Sequence, residues 1–202
     1  MKEIAEKSKL TQSLKYLITI GCGVVVANLY YCQPLLGALS RSFRVSEESA
    51  SFVNICSQRG YGLGLLFIVP LGDMMRRKKL ILSTFFLMTI SLLAMTLAPT
   101  IGFLSVARFL VGFTSVVPQM FVPMAAEMAT PEKRNSAIGM VMSGLLLGIL
   151  LSRVVAGFVG ELWGWKMIYY MAAAVMVILA VLISVKLPDI HPSFKGRYSG
   201  LM

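Results

Sequence analysis

Arg59, Arg108 and Arg153 stand inside long apolar runs, the last of them in SGLLLGILLSRVVAG, residues 143–157. A guanidinium keeps its proton and presents its donors in a flat fork that grips carboxylates, phosphates or carbonyls two at a time. In an apolar layer it must find a partner, reach a surface or stand beside water. The chemistry on offer is therefore recognition of a polar or anionic molecule. The amides Asn28, Gln33 and Gln119, also inside apolar runs, would add hydrogen bonds to such a ligand. Bond-making chemistry finds little support, since no nucleophile and base pair, H-E-x-x-H motif or phosphate-cradling loop stands out. The single histidine, His191, lies in a polar tail, and Cys22, Cys32 and Cys56 show no C-x-x-C spacing. No enzymatic activity, cofactor, metal site or disulfide framework is expected.

The elements that must position these residues follow from composition. The chain is 57% hydrophobic and 14% charged, with a mean hydropathy of +0.78, a membrane balance rather than a soluble one. Its net charge of +10 does not indicate nucleic-acid binding, because the cations gather in short clusters between apolar runs. Crossing a bilayer as a helix takes about 20 mostly apolar residues, with every backbone polar group paired internally. Six segments meet that test, at roughly 14–39, 50–72, 80–98, 102–126, 136–160 and 167–186. The expected fold is all-α, an integral membrane six-helix bundle at 14–186, flanked by a segment at 1–13 and a tail at 187–202.

Basic residues set the expected orientation, because loops on the cytoplasmic side retain Lys and Arg. Lys2, Lys7, Lys9 and Lys15, the run Arg76 to Lys79, Lys133 with Arg134, and Lys186, Lys195 and Arg197 fall on one side, against Arg41, Arg44 and Lys166 on the other. Both termini are expected in the cytoplasm. Pro99 and Thr100 leave almost no loop between spans three and four, which should be antiparallel neighbours. Pro34, Pro118 and Pro123 should kink their spans. Gly112, Gly139, Gly144, Gly148 and Gly157, with Gly60, Gly62 and Gly64 in span two, give small-residue rows that admit close helix approach in any bundle. All three arginines should lie in the outer half of the membrane, within about one 5.4 Å turn of one another in depth.

At the second turn the chain reads VPLGDMMRRKKLIL, residues 69–82, an acid at a helix end followed by four cations. Here it resembles the major facilitator superfamily, whose motif G-x-x-x-D-R-x-G-R-R is matched by Asp73, Arg77 and Lys78. Val69, Met74 and Arg76 depart from it. ARFLVGFTSVVPQ, residues 107–119, is similar to the family's R-x-x-x-G pattern through Arg108 and Gly112, and EMATPEKRNSAIG, residues 127–139, looks like the turn into helix five. The frame from Gly139 through Gly148 to Ala156-Gly157 resembles the antiporter motif, with Ser152-Arg153 where that motif has Gly-Pro. YYCQPLL, residues 30–36, and GYGLGLLFIVPLGD, residues 60–73, look most like the bacterial sugar and drug efflux branch.

The resemblance implies half of a twelve-helix fold in the inner (plasma) membrane, whose two halves rock about a central cavity. The partners it implies are the lipid bilayer, a small-molecule solute, and either a second six-helix half or a second copy. Helices one and four would line the cavity, making Arg108 the leading substrate or coupling residue. Helices two and five would form the seam, where Arg59 and Arg153 fall. Asp73, Arg77 and Lys78 would form a cytoplasmic latch against the second half, or pair instead with Glu127 or Glu132. Snorkelling to the outer headgroups is the alternative for Arg59 and Arg108. Tyr30 and Tyr31 read either as cavity stackers or as interface anchors. Two functions stay open: half of an efflux transporter working by alternating access, proton coupling included only as a family expectation, or a truncated, transport-inactive remnant or membrane assembly partner.

Overall fold

The computed structural model describes residues 10–188, apart from the side chain of Asp73. Most of the expected N-terminal segment and tail, with Lys2, Lys7, Lys9, His191, Lys195 and Arg197, lies outside the described residues. The helices are α1 (Gln12–Tyr30), α2 (Leu36–Phe43), α3 (Glu47–Met74), α4 (Arg77–Thr96), α5 (Ile101–Thr114), α6 (Pro118–Met128), α7 (Arg134–Trp163) and α8 (Trp165–Lys186). They make six spans long and apolar enough to cross a membrane, Gln12–Phe43, Glu47–Gly72, Arg77–Thr96, Ile101–Met128, Pro131–Trp163 and Trp165–Lys186. The architecture is all-α, as the hydropathy pattern predicts.

Several helix starts are fixed by hydroxyl caps, which satisfy donors that the first turn leaves unpaired. Thr11 accepts from the Leu14 amide, Ser46 from Ser49 and Thr100 from Phe103. Glu47 and Glu48 add negative charge at the positive end of α3. Gly164, at φ 81°, provides the left-handed residue that lets α7 turn directly into α8.

Two spans are broken, both at prolines. Span one passes from α1 through a short 3₁₀ turn, Gln33–Leu35, into α2, with Pro34 inside the turn. Span four breaks between Thr114 and Pro118, where hydroxyls enter the backbone ladder: Thr114 donates to the Leu110 carbonyl at 2.8 Å and Ser115 to that of Val111 at 2.7 Å. Pro118 then starts α6, where a missing N–H costs nothing. Pro123 and Pro70 instead lie inside continuous helices, α6 and α3.

The closest helix pairings join α3 to α5, α1 to α7 and α4 to α8, and α4 also packs on α5 through the tight Pro99-Thr100 turn. Glycine sets the first two crossings. A Cβ on Gly60 or Gly64 would strike the carbonyls of Phe109 or Phe113, and one on Gly112 would strike that of Ser57. Across the other pair, a Cβ on Gly23 would stand 2.6 Å from the Gly144 carbonyl, while Gly144 and Gly148 face Thr19 and Gly23. Gly139 and Gly62 meet nothing within 4 Å, and Gly157 meets only Pro34 Cβ at 3.9 Å. The reason is angular: at 3.6 residues per turn Gly139 lies about 140° round α7 from Gly144, and Gly157 about 180° from Gly148.

These crossings separate glycines of one composition into two classes. Gly112→Ala should destabilise the protein by about 1–3 kcal/mol through overpacking. Gly139→Ala should be neutral or stabilising by up to about 1 kcal/mol, as expected for an open helical site. Apparent melting temperatures of the two variants in detergent should therefore move in opposite directions or differ clearly.

Candidate solute pathway and gating residues

The α1 helix ends at Tyr30, and the last carbonyls of any helix lack intrahelical donors. Tyr31 N–H serves Ala27. The next two carbonyls are taken by Arg108 of α5, whose Nη1 donates to Asn28 O at 2.6 Å and Nη2 to Leu29 O at 2.5 Å. Pro34 contributes through the break itself: its ring disfavours helical geometry at Gln33, whose N–H would otherwise reach the Leu29 carbonyl, and clashes with the Tyr30 carbonyl four back, so the helical ladder stops short of Asn28 and Leu29. The guanidinium thus replaces backbone donors, and its charge meets the negative end of a helix dipole.

Arg108 is fully enclosed, with 0% exposure. It does not snorkel toward headgroups, and in this conformation it does not open on water. The Cys32 thiol and the Tyr169 hydroxyl stand beside it. Asn28 is buried in the same knot, where its Nδ2 donates to Val24 O at 3.1 Å and contacts Met88 Sδ at 3.4 Å. Arg108 Nε, Asn28 Oδ1 and the Tyr169 hydroxyl lack hydrogen-bond partners among the described residues. Spans one, three, four and six therefore converge on one polar centre.

Gln119 lies elsewhere. A straight helix would place it on the face of Arg108, but the break before Pro118 separates them, leaving Gln119 exposed with its Nε2 donating to Tyr61 Oη at 3.0 Å. Gln33 is half-buried in the 3₁₀ turn. Arg59 and Arg153 are both exposed, on α3 and α7. Arg153 lies over the Tyr30 ring, its guanidinium carbon 5.8 Å from the centroid, a cation–π arrangement. Neither arginine makes an ion pair among the described residues. Their spans are also the open ones: 28% of the second span's apolar window and 11% of the fifth's are buried, against 61% in the first and fourth.

At the basic end, Arg77 turns inward and forms a forked ion pair with Glu127, Nη1 to Oε2 at 2.5 Å and Nη2 to Oε1 at 3.2 Å. This ties the start of α4 to the end of α6. The arginine side chain is 8% exposed and the glutamate 51%. Lys78, half-buried, and Lys79, exposed, point to the other side of α4. Leu10 N–H adds a strap to Met128 O at 3.0 Å. Asp73 lies in the last turn of α3, its side chain outside the described residues.

Tyr61 and Tyr169 join these clusters without having been singled out by sequence. Their only signal is a hydroxyl within an apolar helix, which tyrosines near any membrane face share.

The family model described as Major Facilitator Superfamily matches residues 18–198. This chain belongs to that superfamily. A transporter of *Escherichia coli* O157:H7, the uncharacterized transporter YgaY, is 40% identical over 194 residues, which cover 96% of this chain and 49% of that protein. The efflux pump FUB11 of *Gibberella fujikuroi* is 28% identical over 155 residues, 76% of this chain and 27% of that protein. The crystal structure of a bacterial homolog of the human lysosomal transporter Spinster, inward-facing and unoccupied, matches with a TM-score of 0.73 at 14% identity, over 91% of this chain and 45% of that one. At such identity the likeness shows the fold alone. This facilitator chain is a multi-pass membrane protein of a transporter family, and it spans about half the length of the curated relatives it matches.

The fork on α1 separates arginine from lysine. Arg108→Lys keeps the charge but, as a compact ammonium, cannot serve both carbonyls in the same plane. Losing one charge-assisted bond should cost about 1.5–3 kcal/mol, read as a lower apparent melting temperature.

Proposed function

We propose that this facilitator chain forms the N-terminal six-helix half of a secondary efflux transporter. It would move a small sugar-like or amphipathic organic solute by alternating access. One observation carries this reading: the open faces of spans two and five each hold an exposed arginine without an acid partner among the described residues. Facing lipid, each would cost about 2.5–3.5 kcal/mol at the bilayer centre. Against a second six-helix unit each gains a wet cavity or a carboxylate instead. Arg59 and Arg153 then work at the seam, and Tyr30, Gln33, Tyr61 and Gln119 line the solute path.

Arg108 is the coupling residue in this reading. It links the broken end of span one to span four, so a solute or proton reaches it only when the end of α1 moves. A proton carrier would come from the second half or a span end, because among the described residues the acids stand at helix ends or in turns. Asp73, Arg77 and Lys78 form the cytoplasmic gate, with the Arg77–Glu127 pair as its anchor within this half. Both termini face the cytoplasm, as the distribution of basic residues supports. The second reading is a chain inactive in transport that serves as a membrane assembly partner.

Efflux of a fluorescent amphipathic dye from cells expressing the chain, alone and together with the C-terminal six-span half of the YgaY relative, separates the two. Transport that appears only with the second half, and falls with Arg153→Ala, supports the transporter. Persistent inactivity of a complex shown to assemble supports the second reading. Orientation is checked on a Cys56→Ser background: Glu132→Cys should react with an impermeant maleimide only after the membrane is opened, and Lys166→Cys in intact cells. The reverse pattern would overturn the assignment of the cytoplasmic face.

A further inference from the structure

Two hollows on the outside of the bundle run into one another. The first, of about 490 Å³, lies at the basic end, where Arg76, Lys78 and Lys79 border Leu82 and Phe86. The second, of about 340 Å³, lies between α4 and α8 and is lined by Leu82 and Phe86 again, together with Val177, Ala180 and Val181. Sharing two residues, they adjoin as one trough with a cationic mouth and a mainly apolar floor that also carries the hydroxyls of Thr89 and Ser184. Lys78, Leu82 and Phe86 are spaced four apart and so fall on one row of α4. From Lys78 to Phe86 that row descends about 12 Å, far enough to carry an acyl chain into the bilayer core.

Among the described residues the charge at the mouth has one sign, and no acid lines either hollow. Neighbouring Arg77 is already turned inward to Glu127, while Lys78 and Lys79 make no ion pair among the described residues. A general bias toward basic cytoplasmic loops accounts for cations at this turn. It does not account for cations bordering an apolar trough on the outer side of α4.

We propose that this trough binds one anionic glycerophospholipid, its phosphate held by Lys78 and Lys79 beside Arg76 and one acyl chain lying between α4 and α8. Basic residues at a membrane surface attract anionic headgroups, whereas the ammonium of a zwitterionic lipid would sit among like charges. The site lies outside the seam and the solute path and shares only Lys78 with the proposed gate.

Native mass spectrometry of the purified chain in detergent, titrated with phosphatidylglycerol or with phosphatidylcholine of identical acyl chains, tests it. One phosphatidylglycerol should be retained with an apparent Kd about tenfold below that of phosphatidylcholine. Lys78→Gln combined with Lys79→Gln should remove most of that preference. Ala180→Trp, which fills the trough and leaves the charges, should cut retention of phosphatidylglycerol about fivefold. Soluble glycerol 3-phosphate at matching concentration should not compete. Equal retention of the two lipids by the unaltered chain would overturn the proposal, and that comparison needs no variant to fold. Unchanged retention in either folded variant, or displacement by glycerol 3-phosphate, would overturn it equally.

Discussion

A guanidinium sealed in a membrane protein needs acceptors, and Arg108 finds them on the main chain. The carbonyls of Asn28 and Leu29 are available because α1 stops at Tyr30, and Pro34 stands where the next turn would form. A helix defect in span one and a buried charge in span four thus remove each other's cost. Neither is tolerable alone, since unpaired carbonyls and an unpaired cation both carry desolvation penalties in an apolar interior. The join also fixes how far the two spans can slide past one another. Tyr169, Cys32 and Met88 surround it, so spans three and six report to the same centre.

Around that centre the bundle is built from two close crossings with different partners. The α3 and α5 backbones meet at Gly60, Gly64 and Gly112, and those of α1 and α7 at Gly23, Gly144 and Gly148. Each crossing buries one face of spans two and five and leaves the opposite face open. The arginines on those open faces, Arg59 and Arg153, differ in kind from Arg108. Arg108 has its acceptors within this half, whereas Arg153 has, among the described residues, the face of Tyr30. That contrast between a satisfied and an unsatisfied guanidinium is the basis of the proposal that a second six-helix unit, rather than lipid, covers this side.

Much of this was readable from the chain. Span positions follow from runs of apolar residues, whereas the hydroxyl caps Thr11, Ser46 and Thr100 that set three of the starts lie just outside those runs. The i, i+4 pair Gly144 and Gly148 announced a close approach, but its partner Gly23 was hidden, because a crossing belongs to two helices and spacing describes only one. Of the three prolines expected to kink their spans, Pro34 and Pro118 coincide with breaks, while Pro123, like Pro70, lies in continuous helix. The break at Pro118 also undid the shared face of Arg108 and Gln119, since counting 100° per residue holds only along an unbroken helix. The partner of Arg108 could not be read at all, because a backbone carbonyl has no residue type. Arg77 and Lys78 are neighbours in sequence, yet only tertiary packing sends one to Glu127 and the other to the outer trough.

The most direct measurement is a double-mutant cycle on thermal or denaturant stability between Pro34→Ala and Arg108→Leu. If the break in α1 supplies the acceptors of Arg108, restoring helix propensity at position 34 lets backbone donors compete for the Asn28 and Leu29 carbonyls. Arg108→Leu should then cost at least about 1 kcal/mol less on the Pro34→Ala background than on the unaltered chain. Additive effects, within about 0.3–0.5 kcal/mol, would show that the proline and the guanidinium act independently and would contradict the account.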